Sequence, residues 1–118
     1  MPHIVIEYSR EIANKIDIVR LMTVSLEAAA ASEVMRREDI KVRAMPYEHY
    51  LLADGGDSFV HTTVRMLSGR SDPQKYHLSS LLRERQVDLL NDVHDLSVHS
   101  VSIDIVDMNP DAYLKRLL

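Results

Sequence analysis

Three groups of residues in this chain have the type and spacing to do chemistry, and they lie far apart in sequence. Pro2 is the first. Its small side chain permits removal of Met1, which would leave a secondary amine at the terminus. Burial and neighbouring positive charge both disfavour the protonated form of such an amine, so it can act as a general base near neutral pH. A proline after the initiator methionine is also common without any role. Arg70 is the second: it follows Gly69 at the end of a predicted strand, where sheets with parallel strands hold ligands. Its planar guanidinium suits bidentate recognition of a carboxylate; a solvated turn arginine is the plainer alternative. Lys41 and Arg43 are the third group, two apart on a predicted strand and so on one face of it. They either bind an anion or serve as edge charges that discourage strand addition.

Other chemistries find less footing. The chain has no cysteine, which excludes disulfides, thiolate metal sites and a cysteine nucleophile. His3, His49, His61, His77, His94 and His99 show no HExxH or tight pairing, so no metal is expected. No GxSxG elbow is present, and Gly55, Gly56 and Gly69 are too few for a glycine-rich phosphate loop. Tyr47, Tyr50, Tyr76 and Tyr113 can line a pocket, although packing is the usual role of such residues.

At 118 residues the chain is expected to be one domain, long enough to bury roughly two-thirds of its unfolded surface. Apolar residues make up 46% and charged residues 27%, the balance of a soluble globular protein. A formal charge of −4 argues against nucleic acid or an anionic membrane as partner. An anionic ligand must therefore be held by a local basic cluster. Met1-Pro2-His3-Ile4 has no signal-peptide character, and the alanine run Ala28–Ala31 is far too short to span a bilayer. The expectation is a cytoplasmic protein.

The elements that must position these residues fall into two similar halves, about 1–54 and 57–118. His3 to Glu7 is a β-branched run and reads as a strand. Asp17 offers an N-cap, and Ile18, Leu21, Met22, Ser25 and Ala29 follow at helical spacing. A strand is predicted at Ile40 to Ala44, with a possible continuation to Leu52, and Asp54-Gly55-Gly56-Asp57 is the clearest turn signal. The pattern then recurs. Phe59 to Leu67 reads as a strand with Val60, Val64 and Met66 on one face and His61, Thr63 and Arg65 on the other. Asp72-Pro73 reads as cap and first helical residue of a helix whose stripe is Leu78, Leu81, Leu82, Leu89, Leu90 and Val93. Val98 to Val106 alternates Val101, Ile103 and Ile105 against Ser100, Ser102 and Asp104. Asn109-Pro110 ends it, and Tyr113 to Leu118 is predicted as a last short helix. Right-handed crossovers then give a four-stranded sheet with both helices on one face. The other face, polar and uncovered, is either solvated or used for oligomerisation.

Four segments resemble the 5-carboxymethyl-2-hydroxymuconate isomerase family of the tautomerase superfamily. They are Met1-Pro2-His3-Ile4-Val5-Ile6-Glu7-Tyr8-Ser9, Ile40-Lys41-Val42-Arg43, Phe59-Val60-His61-Thr62-Thr63-Val64 and Ser68-Gly69-Arg70-Ser71. The resemblance implies an α+β, β-α-β-β-α-β tautomerase-like fold with a four-stranded mixed sheet, and a homotrimer. It implies a cofactor-free isomerase that moves an allylic proton on 5-carboxymethyl-2-hydroxymuconate or a similar anionic keto acid of aromatic-compound catabolism. Pro2 would be the acid/base and Arg70 its catalytic partner, with Lys41 and Arg43 binding substrate. Where the family carries an arginine aligned with Lys41, this chain keeps the charge but loses the planar fork, so carboxylate geometry there would be looser. A trimeric small-molecule-binding protein that kept the fold without catalysis is the alternative.

Overall fold

Alternation along the first strand decides which side of the sheet becomes the core. The computed structural model describes all residues, Met1–Leu118. In β1 (His3–Ser9), Ile4 and Ile6 are fully buried, while His3, Val5 and Glu7 are half-buried on the opposite face. The same rule sorts β3 (Phe59–Leu67), where Val60, Thr62 and Val64 are fully buried and His61 and Thr63 face the other way. Between and after them come α1 (Ile18–Ala31), β2 (Lys41–Tyr47), α2 (Asp72–Asn91) and β4 (Ser100–Met108).

The sheet order is β2-β1-β3-β4. β1 pairs with β2 and β3 with β4 in parallel, and β1 and β3 meet antiparallel at the centre. Each half is thus a helical crossover between parallel strands, and the whole is the expected mixed sheet with β-α-β-β-α-β order. Leu21 from α1 and Leu78 and Leu82 from α2 are fully buried against Ile4, Ile6, Val60 and Val64. Burying each such side chain contributes about 1.5–3 kcal/mol. Gln86 on α2 ties the layers together: its Nε2 donates to Ser25 Oγ on α1 at 3.0 Å and to Thr62 Oγ1 on β3 at 2.9 Å. No helix is long and apolar enough to cross a membrane.

Several boundaries differ from the sequence expectation. β2 starts at Lys41, not Ile40, and its continuation past Ala44 takes in Met45, Pro46 and Tyr47 but stops short of Leu52. Proline is tolerated there because β2 is an edge strand. The Lys41 N–H points inward to Pro2 O at 3.1 Å, so the alternate position 46 faces outward and no ladder bond is lost. Asp17 caps α1 as expected, its Oδ1 accepting from the Val19 N–H at 3.0 Å. The cap of α2, however, is Ser71 and not Asp72. Ser71 Oγ accepts from the Gln74 N–H, and Gln74 Oε1 accepts from the Ser71 N–H, a reciprocal box that satisfies two orphan donors at once. Val93 lies beyond the end of α2, half-buried against the core.

The last predicted helix does not form: residues 113–118 are irregular. Six residues with no capping side chain cannot repay helix nucleation. The Tyr113 hydroxyl instead lies 3.0 Å from His3 Nε2, at the start of β1.

The turn between β2 and β3 is held from a distance. Gly55 adopts φ +85°, and a Cβ on Gly56 would lie 2.0 Å from the His99 ring, so the imidazole packs directly on backbone. His99 Nε2 donates to Asp54 Oδ2 at 2.8 Å, and the His99 N–H donates to Ser58 Oγ at 3.0 Å. The hydrogen bond to Asp54 raises the pKa of His99, and the same bond lowers that of Asp54. Stabilisation from His99 is complete below its ordinary value of 6.5 and disappears as pH rises through its raised folded value. Stabilisation from Asp54 is present above its ordinary 3.8 and disappears as pH falls through its lowered folded value. The clasp is therefore strongest between those two ordinary values. In thermal melts, the parent should gain stability over His99→Gln as pH falls from the alkaline side of the imidazole range into this window; a pH-independent difference would show the clasp carries no charge. In the core, Leu82→Ala should lower unfolding stability by about 2–5 kcal/mol in urea titration.

Candidate active site

The central position of β1 brings the start of the chain to one end of the sheet, between strands that carry cations. Pro2 is buried and anchored on β2 through its carbonyl oxygen, which accepts from the Lys41 N–H. The register places His3 opposite Lys41 on β2 and opposite Arg65 on β3. His3, Lys41 and Arg65 thus form a row across the face that the helices leave open. Arg43, one step further along β2, places Nη1 3.2 Å from His3 Nδ1.

Arg70 sits just beyond β3, half-buried. Its Nε donates to Val34 O at 3.3 Å and its Nη1 to Leu67 O at 3.1 Å. These carbonyls fix the guanidinium plane, and Nη2 makes no hydrogen bond within the chain. The arginine is therefore a held group with a free donor, unlike the mobile side chain of a solvated turn.

The amine of Met1 reports the electrostatics at this end. Its proton affinity is lowered, first by burial and then by Arg70, Lys115 and Lys41, against an opposing pull from Asp39. His3 is lowered as well, by burial first and then by Arg43, Lys41, the chain amine and Arg65. Of the residues singled out in the sequence, Lys41 and Arg70 act together on the chain terminus. Arg43 acts on His3 and does not figure at the amine. With Met1 attached, the Pro2 nitrogen is a peptide nitrogen and holds no proton.

Sequence reasoning missed Asp39, Lys115, His3 and Tyr113 as members of this cluster. For His3 a signal existed in β1 alternation, but its neighbours depend on a register that residue types do not reveal. Lys115 and Tyr113 lie on the tail that the sequence suggested was helical. Two of the other histidines are engaged elsewhere: His61 Nδ1 lies 2.6 Å from Ser102 Oγ, and His99 holds Asp54. The roomiest cavity, about 390 Å³, shares no residue with the cluster. Its lining sets Glu11, Asp57 and Asp95 against Lys15, an acidic balance unsuited to an anionic ligand.

Solved structures share this architecture. A crystal structure of 5-carboxymethyl-2-hydroxymuconate delta-isomerase superposes with a TM-score of 0.75 at 22% identity, covering 99% of this chain and 88% of that one. A 5-carboxymethyl-2-hydroxymuconate isomerase from Deinococcus radiodurans R1 gives 0.74 at 20% identity over 98% and 88%. A wild-type fused 4-OT, W0, solved as a symmetric trimer, gives 0.74 at 15% identity over 92% and 88%. No match was found among curated protein sequences. At these identities the structures establish the class, an α+β protein of tautomerase fold. The family described as 5-carboxymethyl-2-hydroxymuconate isomerase matches residues 2–117, and the chain belongs to that family of isomerases.

The two carbonyl bonds of Arg70 give it a structural share that is separable from any ligand. Arg70→Ala should lower unfolding stability by roughly 1–3 kcal/mol in urea titration without ligand, because Val34 O and Leu67 O lose a charged donor. No change would mean that both carbonyls are satisfied equally well by water.

Proposed function

We propose that this isomerase moves an allylic proton on 5-carboxymethyl-2-hydroxymuconate or a similar unsaturated keto acid of aromatic-compound catabolism, in the cytoplasm, without a cofactor. The observation that carries the reading is the convergence of burial, Arg70, Lys115 and Lys41 on the chain terminus, where they lower the proton affinity of an amine. Once Met1 is removed, the Pro2 nitrogen becomes the chain's terminal amine, one residue further in and on the buried side of the same cations. With its proton affinity lowered by these neighbours, it accepts the substrate proton and returns it to the far end of the conjugated system, so no net charge or atom is gained. Arg70, with its plane held and Nη2 free, binds a substrate carboxylate or polarises the carbonyl as negative charge builds on oxygen. Lys41 and Arg43 supply positive charge on the adjoining strand for the second anionic group.

The working unit in this reading is a homotrimer. The sheet face opposite the helices is only partly covered in one chain, with Lys41, Arg43, Met45, Ser100, Ser102 and Asp104 exposed. The fused 4-OT of the same fold is a symmetric trimer.

Intact mass of protein purified from its own host should show loss of Met1. In protein so processed, Pro2→Ala should lower kcat on a 2-hydroxymuconate-type substrate by on the order of 10²–10⁴ with a small change in KM. Undiminished turnover by that variant would sink the mechanism. Retained Met1, or turnover by no parent protein across a panel of keto acids, would favour a protein that binds without catalysis.

A further inference from the structure

We propose that Tyr113, on the irregular C-terminal tail, is a specificity residue whose hydroxyl donates a hydrogen bond to a substrate carboxylate, and that the Arg43–His3 pair positions it for this. The proposal rests on the functional reading above and adds a ligand-binding residue to that site. It begins from the direction of two hydrogen bonds. A guanidinium has donors only, so the approach of Arg43 Nη1 to His3 Nδ1 at 3.2 Å makes Nδ1 the acceptor. The imidazole proton is then on Nε2, which faces Tyr113 Oη at 3.0 Å. Nε2 donates and the phenol oxygen accepts. The phenol's own proton is not used by His3 and meets no other partner in the chain, so it remains available to an oxygen atom outside the protein.

The imidazole is neutral in this arrangement, in keeping with burial, Arg43, Lys41 and Arg65 all lowering its proton affinity. Ring packing fixes the phenol as well: the His3 and Tyr113 centroids lie 5.9 Å apart at an interplanar angle of 68°. The turn at Asn109 delivers the tail to this place, with the Ala112 N–H donating to Asn109 O at 3.1 Å and the Asp111 N–H to Asn109 Oδ1 at 3.0 Å. Two residues after Tyr113, Lys115 acts on the chain amine, so the tail lies over the same end of the sheet as Pro2. Tyr113 also lines a shallow hollow of about 260 Å³ with Arg65, Asp107, Met108, Asn109 and Ala112. Asp107 there is neutralised by Lys75 Nζ at 2.8 Å, which leaves Arg65 as the unpaired charge of the lining.

The ligand chemistry follows. Lys41 attracts a carboxylate to this end of the sheet as a point charge, and Arg43 has one guanidinium nitrogen committed to His3 Nδ1. A neutral phenol whose ring is held on His3 adds a single short bond to one carboxylate oxygen. A substrate with two carboxylates, one for Arg70 and one for Tyr113, is the class this arrangement selects over a monocarboxylate.

Calorimetric titration with adipate, a saturated dicarboxylate that cannot isomerise, tests the idea on protein with Met1 removed. Tyr113→Phe, which keeps the ring on His3, should weaken adipate binding about 10-fold or more. His3→Ala should weaken it comparably, and His3→Gln, whose amide N–H can stand in for Nε2–H, should restore most of it. In turnover, Tyr113→Phe should raise KM with kcat little changed. Adipate binding by Tyr113→Phe equal to the parent's overturns the proposal, as does His3→Gln behaving like His3→Ala, or no adipate binding by the parent. Because adipate needs no proton transfer, a catalytically silent Pro2→Ala or an inactive parent would count against the proposed reaction and leave this result standing on its own.

Discussion

Everything in this protein is hung on the pairing of β1 with a strand on each side. β1 is parallel to β2 and antiparallel to β3, so its main chain is committed in both directions. One set of its side chains, Ile4 and Ile6, must then enter the helical side, and the other set, starting with His3, must face the open side. A slip of one residue in either pairing would turn both sets over at once, which makes the register costly to change. Pro2 stands immediately before this strand and is fixed by the first of its bonds to β2. The chain terminus is positioned by the best-held element in the molecule, although termini are commonly frayed.

Much of this was readable from residue types. β1 was legible as a β-branched run, and β3 and β4 by alternation of apolar and polar side chains, which records a sheet with one face in a core. Asp17 marked the start of α1 because a side-chain acceptor is needed there. What was not readable depends on partners remote in sequence. The stop of β2 at Tyr47, short of the Leu52 to which the sequence allowed it to run, coincides with the end of its pairing partner β1 at Ser9. The tail is apolar enough to suggest a helix, yet a hydrogen bond to a residue 110 positions away determines its course. In the candidate site, Arg70, Lys41 and Arg43 stood out by charge and setting. His3, Asp39, Tyr113 and Lys115 did not, because each acquires its neighbours only when both ends of the chain meet.

That meeting of the ends sets the balance of charge at the site. Burial is the leading influence on the chain amine, and Asp39 works against it. Arg70, Lys115 and Lys41 come from the end of β3, the tail and the start of β2, and together with burial they prevail over that carboxylate. No single element supplies the positive field. A chain of net charge −4 thereby keeps a positive locality at this end of the sheet.

The edge of the sheet at β2 has a bearing on solubility. Because the Lys41 N–H points inward, the outward N–H groups along this strand belong to Val42 and Ala44, and Pro46 has none to offer. A foreign strand approaching from solvent would find its row of donors interrupted after a few residues, with Lys41 and Arg43 charging the face beside it. An exposed edge of β-branched and apolar residues would ordinarily be a template for amyloid-like growth. Here a single imino acid truncates the template, and it does so at a position where the protein's own sheet loses nothing.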